Sequence, residues 1–352
     1  MVPPTSASLT PENSPHRALH PVRLWLRTGL VLVVLMVVVG AITRLTESGL
    51  SITDWRPVTG VLPPLTEQDW QNEFDKYKNS PEFLYKNSGF TLQDFKTIFW
   101  WEWIHRFIAR LIGLVYIVPL AAFWIRRQIP RPMLPGILLI GILGGVQGFL
   151  GWYMVKSGLV DEPRVSHFRL AAHLCTALTI AVAIYWQLLR LNPPRVQTAQ
   201  GTPPVKKSLL WISLLALILQ IIYGAFVAGK DAGQLYNTWP RMGDAWIPES
   251  VWAAQPWYVN FLENESGLQF FHRTWAWVVY GLLTWMGFRL VRAGGIWSAS
   301  GRQLILWVHV QVLLGILTLV LAVPLVLGVA HQLVAVFLLL TMVKITALLI
   351  PK

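Results

Sequence analysis

The chain has 352 residues, of which 54% are hydrophobic and only 13% are charged, and its mean hydropathy is +0.50. Soluble proteins carry about 25% charged residues, so this composition excludes an ordinary soluble enzyme, a disulfide-stabilised secreted domain and a disordered chain. The formal net charge of +12 would suggest a nucleic-acid partner in a soluble protein, but the positions of the charges lead to a different interpretation.

Long apolar blocks recur along the whole chain, and each is close to the ~20 residues that a helix needs to cross a bilayer. We predict eight membrane-spanning helices, at 24–45, 103–124, 134–155, 169–190, 208–228, 270–289, 303–322 and 325–349. Only Val323 and Pro324 separate the last two, so one long kinked helix is the alternative there. The single cysteine, Cys175, lies inside an apolar block, which excludes an internal disulfide.

The basic residues predict how these helices are oriented. If the spans alternate, one side of the membrane contains Arg17, Arg23, Arg27, Arg126, Arg127, Arg131, Arg190, Arg195, Lys206, Lys207, Arg289, Arg292, Arg302 and Lys352. Loops rich in Lys and Arg face the cytoplasm, so we expect both termini there. Of the 17 acidic residues, Glu12 alone falls on that side. The positive charge is therefore a signal of membrane topology, and we predict no nucleic-acid partner.

The two halves of the chain resemble each other. The matched segments are G-A-I-T-R-L-T-E-S-G at 40–49 with G-A-F-V-A-G-K-D-A-G at 224–233, E-W-I-H-R at 102–106 with Q-F-F-H-R at 269–273, and V-Q-G-F-L-G at 146–151 with V-Q-V-L-L-G at 310–315. Four spans in each half make this a parallel duplication, unlike the inverted repeats of many transporters. We predict an all-α polytopic membrane protein whose two tandem four-helix bundles are related by pseudo-two-fold symmetry along the membrane normal.

The repeat also predicts the domain boundaries. They are a cytoplasmic tail at 1–23, an N-terminal half at 24–190 with a long outer loop at 46–102, a cytoplasmic linker at 191–207 and a C-terminal half at 208–349. The first outer loop is longer than its counterpart at 229–269. We expect the extra length to cover a site in the N-terminal half and to exclude water from it.

Four of the eight histidines occupy matched positions near the outer ends of even-numbered spans: His105 with His272, and His173 with His331. A lone histidine in a membrane span can simply donate a hydrogen bond between helices. Ionisable residues there are costly, however, and four at matched positions favour a functional role. Two pairs of imidazoles suit axial ligation of haem iron. Zinc sites usually add Cys or carboxylate ligands, and here only Glu102 would be available.

Charged neighbours of these histidines differ between the halves. Arg106 and Arg273 directly follow the first histidine of each half, where they would pair with haem propionates or, alternatively, extend to lipid headgroups. Glu102 lies three residues before His105 on the same helical face, whereas its repeat partner is Gln269. We predict proton chemistry or charge stabilisation at the Glu site and cofactor binding at the Gln site. The alternative is a plain ion pair between Glu102 and Arg106.

Between residues 24 and 349 the sequence resembles the haem A synthase family. The segments that carry the resemblance are G-A-I-T-R-L-T-E-S-G-L-S, D-W-R-P-V-T-G-V-L-P-P, E-W-I-H-R-F-I-A-R, F-R-L-A-A-H-L, F-H-R-T-W-A-W and A-H-Q-L. The resemblance implies oxidation of a methyl group of haem O to a formyl group, which gives haem A for terminal oxidases. It further implies a haem O synthase and an unidentified electron donor as partners.

Carried over residue by residue, the resemblance implies that His272 and His331 are axial ligands of a resident haem b. It also implies that His105 and His173 surround the iron of the substrate haem O, with Glu102 essential for catalysis nearby. Members of the family that carry a cysteine pair in the first outer loop differ from this chain, since 46–102 contains no Cys. The sequence therefore resembles the branch shared by α-proteobacteria and mitochondria, and a thiol mechanism is excluded.

The short N-terminal tail favours the bacterial cytoplasmic (inner) membrane over an organelle. The main alternative function is a di-haem electron-transfer cytochrome that oxidises quinol, and a haem transporter is a third. A cytochrome that moves electrons across about 30 Å of hydrocarbon needs haems at two depths. All four matched histidines lie at one depth, so the enzyme is the favoured interpretation.

Overall fold

The computed structural model describes residues 19–55, 59–158, 165–191 and 204–350, and these residues form ten α-helices and no β-strand. The helices are α1 His20–Leu45, α2 Glu67–Lys78, α3 Pro81–Tyr85, α4 Leu92–Ile125, α5 Leu134–Gly158, α6 His167–Leu191, α7 Lys207–Gly229, α8 Glu265–Ala293, α9 Gly295–Val320 and α10 Leu325–Leu349. The predicted all-α fold is therefore confirmed. Of the predicted tail and linker, residues 1–18 and 192–203 lie outside the described residues.

Eight of these helices are long, and each corresponds to one predicted span. Seven of them are long and apolar enough to cross a membrane, which makes the chain a multi-pass membrane protein. The eighth, α8, does not meet this test of length and composition within the described residues. Its hydropathy is lowered by His272 and Arg273 and by three tryptophans, at 275, 277 and 285. The eighth crossing therefore stays a prediction.

The last two spans are separate helices rather than one kinked helix. Helix α9 ends at Val320 and α10 begins at Leu325. Between them Ala322 and Val323 have φ angles of 57° and 60°, a left-handed conformation that a β-branched residue rarely adopts. Pro324 then precedes the first residue of α10, so the backbone turns sharply at this point.

The long outer segment of the first half is an ordered helical cap. Helices α2 and α3 lie within it, and α4 starts ten residues before Glu102, at a capping box formed by Thr91 and Asp94. An aromatic cluster joins these elements: Trp70, Phe74, Tyr77, Phe95 and Phe99 are all buried. We call α2, α3 and the outer turns of α4 the outer cap. It adjoins the Glu102 end of the first half.

Equivalent helices pack against each other in the two halves. In the first half α1 packs against α4 and α6, and α5 packs against α6; in the second half α7 packs against α8 and α10, and α9 packs against α10. The halves meet where α6 contacts α7 and α10, and where α1 contacts α10. The largest apolar core of the described residues lies mostly in the second half, where Leu210, Leu283 and Met342 are fully buried, and it extends across the junction to Val37 and Leu178. An ion pair between Arg44 and Asp231, at 2.8 Å, also joins the halves.

Candidate functional site

Each histidine of the first half packs against a glycine on the neighbouring helix. A Cβ placed on Gly40 of α1 would lie 3.2 Å from Cε1 of His105 on α4. A Cβ placed on Gly151 of α5 would lie 3.3 Å from Cε1 of His173 on α6. Both distances are tighter than ordinary contacts, so a glycine at each position makes room for the imidazole ring.

The second half repeats this arrangement. A Cβ on Gly224 of α7 would lie 3.2 Å from Cε1 of His272, and one on Gly315 of α9 would lie 2.9 Å from Cε1 of His331. Because the duplicated sequence places a histidine opposite a glycine four times, the packing belongs to the repeat and not to one helix pair. We call these contacts the glycine cradles.

Glutamine amides also contact three of the imidazoles. Gln147 donates to Nε2 of His173 at 3.1 Å, and its repeat counterpart Gln311 donates to Nε2 of His331 at 3.3 Å. Gln220 donates to Nδ1 of His272 at 3.1 Å. An imidazole nitrogen that accepts a hydrogen bond carries a lone pair, which is the form that binds a metal.

One continuous cavity of about 1610 Å³ connects the two halves. All seven residues singled out from the sequence line it: Glu102, His105, Arg106, His173, His272, Arg273 and His331. The structure therefore brings together both histidine pairs and their charged neighbours. Trp55, Trp239, Trp246 and Trp277 add flat aromatic surface to the same wall.

The residues present fit a haem better than a bare metal ion. Nδ1 of His105, of His173 and of His331 is buried and has no hydrogen-bond partner among the described residues. The glycine cradles add space beside each ring. No group of three or more His, Cys, Asp or Glu side chains in the described part of the chain could hold a metal ion. Paired imidazoles without further ligands are the donor set of a bis-histidine haem.

Glu102 is 3% exposed and both of its carboxylate oxygens accept hydrogen bonds. Arg106 donates to Oε1 at 2.6 Å, which is the ion pair that the spacing allowed. The Ser51 hydroxyl and the Ile52 backbone N–H each donate to Oε2 at 2.7 Å. The carboxylate thus fastens the outer segment to α4, in addition to pairing with Arg106.

The arginines also hold their outer segments. Arg106 donates to the carbonyl oxygens of Ile52 and Asp54, at 2.9 and 3.1 Å. Arg273 donates to three carbonyls, of residues 238, 240 and 241, each at 3.0 Å. Gln269 is 2% exposed and donates to the carbonyl of Tyr236 at 3.2 Å. Nη1 of Arg273 is buried without a partner among the described residues and stays available for an anionic group.

A second buried carboxylate, Glu82 of α3, lines the same cavity. Glu82 is 4% exposed, and the Tyr77 hydroxyl donates to its Oε2 at 3.1 Å. The pKa of Glu82 is raised to about 7, chiefly because burial disfavours the charged form. The Tyr77 hydrogen bond and Lys86 act to lower this pKa, and the charge of Glu102 acts to raise it. No spacing in the sequence links Glu82 to the histidines. Helix α3, which carries Glu82, belongs to the outer cap and comes close to the site only in the folded protein.

Other site residues were visible in the sequence without being assigned a role. The cradle glycines and Gln147 and Gln311 lie inside the repeated segments G-A and V-Q-x-x-L-G, so the repeat itself was the signal. Gln220 had no such signal, since Met36 occupies the matched position of the first half. The remaining transmembrane histidine, His309, hydrogen-bonds Tyr280 and stands apart from both pairs.

Comparisons with known proteins identify the family of this chain. Residues 23–343 match the COX15-CtaA family, described as cytochrome oxidase assembly protein. A protein named Heme A synthase from Parvibaculum lavamentivorans is 44% identical over 89% of this chain and 90% of its own length. Heme A synthases from Nitrosospira multiformis and Flavobacterium johnsoniae are each 44% identical, over 89% and 90% of this chain and 88% and 94% of their own lengths. The chain, with its paired histidines in a multi-pass membrane fold, therefore belongs to the haem A synthase family.

Proposed function

We propose that the first half of this chain binds the substrate haem O between His105 and His173, and that the second half binds a resident haem b between His272 and His331. Membership of the family makes the chain an oxidoreductase that converts a methyl group of haem O to the formyl group of haem A. This assignment is supported by a difference between the halves: the glycine cradles are alike in both, but the residues around them are not. Glu102 and the outer cap belong to the first half alone.

A haem b held by two histidines would supply electrons one at a time. The residues of the second half have only to hold it: the glycines leave space for the imidazoles, and Arg273 offers its free Nη1 to a propionate. Arg106 is the matched residue of the first half and would bind a propionate of the substrate, in addition to the carbonyl oxygens of the outer segment.

Glu102 acts in this proposal as a charge and as a positioning group. Its two oxygens already accept three hydrogen bonds, which hold the carboxylate in a fixed orientation. A fixed carboxylate beside the site stabilises the positive charge that develops on the substrate carbon during oxidation. The same carboxylate holds Ser51 and Ile52, and Ile52 packs against the aromatic cluster of the outer cap. Glu102 therefore also keeps the cap closed over the site and excludes water.

The rest of the proposal concerns the whole chain. The halves comprise residues 24–190 and 208–349, and α8 crosses the membrane beside α9, against which it packs. Both termini face the cytoplasm of a bacterial cell, and the protein resides in the inner membrane. This orientation rests on the one-sided distribution of Lys and Arg. A haem O synthase would deliver the substrate, and an electron donor of unknown identity would reduce the resident haem.

Alanine variants of the four histidines test the assignment. We expect His272→Ala and His331→Ala to lose most of the haem b that co-purifies with the protein, or to leave it high-spin, because one axial ligand is gone. His105→Ala and His173→Ala should keep a low-spin haem b and accumulate haem O in place of haem A. Absorption spectra of the purified variants and chromatography of extracted haems measure both effects. A low-spin spectrum retained in both second-half variants would refute the assignment.

A further inference from the structure

The two halves differ sharply in how one matched pair of helices packs. In the second half α8 and α9 are in close contact, and a Cβ on Gly301 would lie 2.6 Å from the carbonyl oxygen of Gly287. The matched residues of the first half are Leu120 and Ile137. Small residues let helix backbones approach closely, and larger ones keep them apart. The α4 and α5 backbones accordingly stay farther apart over their described lengths, and Tyr116 bridges them by donating to the carbonyl of Ile137 at 2.7 Å. We call the space between the two helices outward of Tyr116 the α4–α5 gap.

Side chains fill this position in the second half and leave it open in the first. Tyr280 donates a hydrogen bond to Nε2 of His309 at 3.0 Å, and Val308 is only 2% exposed. The three matched residues of the first half are glycines: Gly113, Gly144 and Gly145. A Cβ on any of the three would meet no atom within 4 Å. The helix order is therefore the same in the two halves, but the interface between α8 and α9 is filled and the matched interface between α4 and α5 is open.

The α4–α5 gap is continuous with the cavity of the first histidine pair. Its three glycines line the same cavity as His105 and His173. Gly113 lies eight residues inward of His105 along α4, which is about 12 Å of helix. At the outer end of the gap, Oε1 of Gln147 and Nδ1 of His173 are buried without a partner among the described residues.

The gap also opens towards the surrounding lipid. Gly144 and Gly145 are exposed, and no residue of the most apolar stretch of α4 is buried. The exposed side chains of α4 beside it are apolar, with Leu114 at 61% and Ile117 at 62% exposure. Between its polar ends, an occupant of the gap would thus contact apolar side chains and lipid.

We propose that the α4–α5 gap receives the isoprenoid tail of haem O while its ring lies between His105 and His173. This inference rests on the proposed placement of haem O in the first half. Haem O differs from haem b by a long apolar chain on the ring, and the second half, which holds the tail-less haem, is the half whose gap is filled. The same opening gives the substrate a lateral route from the bilayer to the histidines.

Replacing the three glycines of the gap with the matched residues of the second half tests this proposal. The variant Gly113→Tyr/Gly144→Val/Gly145→His fills the gap with the residues that the fold already tolerates at the matched positions. The control is Gly281→Leu, which places the matched residue Leu114 at an open position of α8. Each purified protein, with its resident haem b, is titrated with haem O and with tail-less haem B, and binding is followed by absorption.

We expect the wild-type protein and the control to bind haem O at least about tenfold more tightly than added haem B. The filled variant should lose this preference and still bind haem B, and its cells should accumulate haem O. An unchanged preference for haem O in a filled variant that retains low-spin haem b would overturn the proposal. If the triple variant loses haem b, Gly144→Val alone is measured under the same criterion.

His105→Ala separates this inference from the function on which it rests. If haem O binds His105→Ala as tightly as wild type, the placement of the substrate in the first half is wrong. If His105→Ala loses haem O but the filled variant keeps its preference, the placement stands and the tail lies elsewhere.

Discussion

The most informative single residue is Glu102, because the two halves differ there by one atom. Gln269 fills the matched position with an equally buried amide that donates to a backbone carbonyl. Glu102 instead accepts from Arg106, Ser51 and Ile52. A negative charge is the only chemical property that the first site has and the second lacks at this point.

We predict that Glu102→Gln keeps the fold and the resident haem b but lowers haem A formation. The loss should be at least about tenfold, which is about 1.4 kcal/mol of barrier. Haem O should accumulate, and chromatography of acid-acetone extracts from expressing cells measures the ratio. Glu73→Gln is the matched control, since Glu73 forms a surface ion pair with Lys76 at 2.6 Å. Normal haem A in a haem-loaded Glu102→Gln protein would leave Glu102 with the ion-pair role alone.

Glu82 predicts a pH dependence of stability. Burial raises its pKa from the ordinary 4.5 to about 7, with Glu102, Glu47 and Lys86 as the charged groups around it. The folded protein therefore holds this proton more tightly than the unfolded chain does. The resulting stabilisation is complete below about pH 4.5 and is lost as the pH rises through about 7, a change on the order of 3 kcal/mol.

The expected result is a melting temperature of the wild-type protein that falls between about pH 5 and about pH 7.5, and a smaller fall in Glu82→Gln. The amide keeps a neutral group beside the Tyr77 hydroxyl at both pH values. Differential scanning fluorimetry in detergent measures the difference. Glu67→Gln, at a site whose side chain is 81% exposed, should behave as wild type. Identical pH curves for wild type and Glu82→Gln would contradict the prediction.

At the scale of the helices, the glycine cradles lead us to expect different phenotypes from the same substitution in the two halves. Gly40→Val and Gly224→Val make the same change at matched positions. The added Cβ would lie 3.2 Å from Cε1 of His105 and of His272, respectively. Valine is no worse than glycine as a helix residue, so the effect falls on the imidazole. We expect Gly40→Val to retain haem b and lose at least about tenfold of haem A formation, about 1.4 kcal/mol, and Gly224→Val to lose haem b. Equal haem b content in the two variants would disprove the division between the halves.

Helices were predictable from sequence to the extent that hydropathy determines them. Each of the eight long helices covers one predicted span, although α4 begins at Leu92 and α9 at Gly295, well before the predicted starts at 103 and 303. The break at Pro324 was visible as a proline between apolar blocks. The inner structure of 46–102 was not predicted, because α2 is polar and is stabilised by aromatic contacts with α4 rather than by burial in the membrane. The separation of α4 from α5 depends on side chains that meet across helices, which periodicity alone does not reveal.

At the scale of the whole molecule, duplication was the strongest signal. It identified the histidine pairs, and all seven residues selected from it line one cavity. It did not identify Glu82 or Gln220, since neither has a like partner in the other half. Some features differ between the halves, such as Tyr280 at the position matched to Gly113. Their roles can be interpreted only when the packing around them is known. Repeats thus reveal the shared scaffold, and departures from the repeat require a structure to interpret.

The tandem arrangement has an evolutionary consequence. A half-length ancestor that paired with its own copy would form two identical haem sites, because an isologous dimer repeats every residue in both subunits. Any mutation that opened one gap or charged one site would have changed the other as well. Two halves in one chain can differ residue by residue, as Glu102 and Gln269 do and as Gly113 and Tyr280 do. The Arg44–Asp231 pair across the junction occurs once, because the matched positions are Ala228 and Glu47. An isologous dimer with these two residues would form the pair twice.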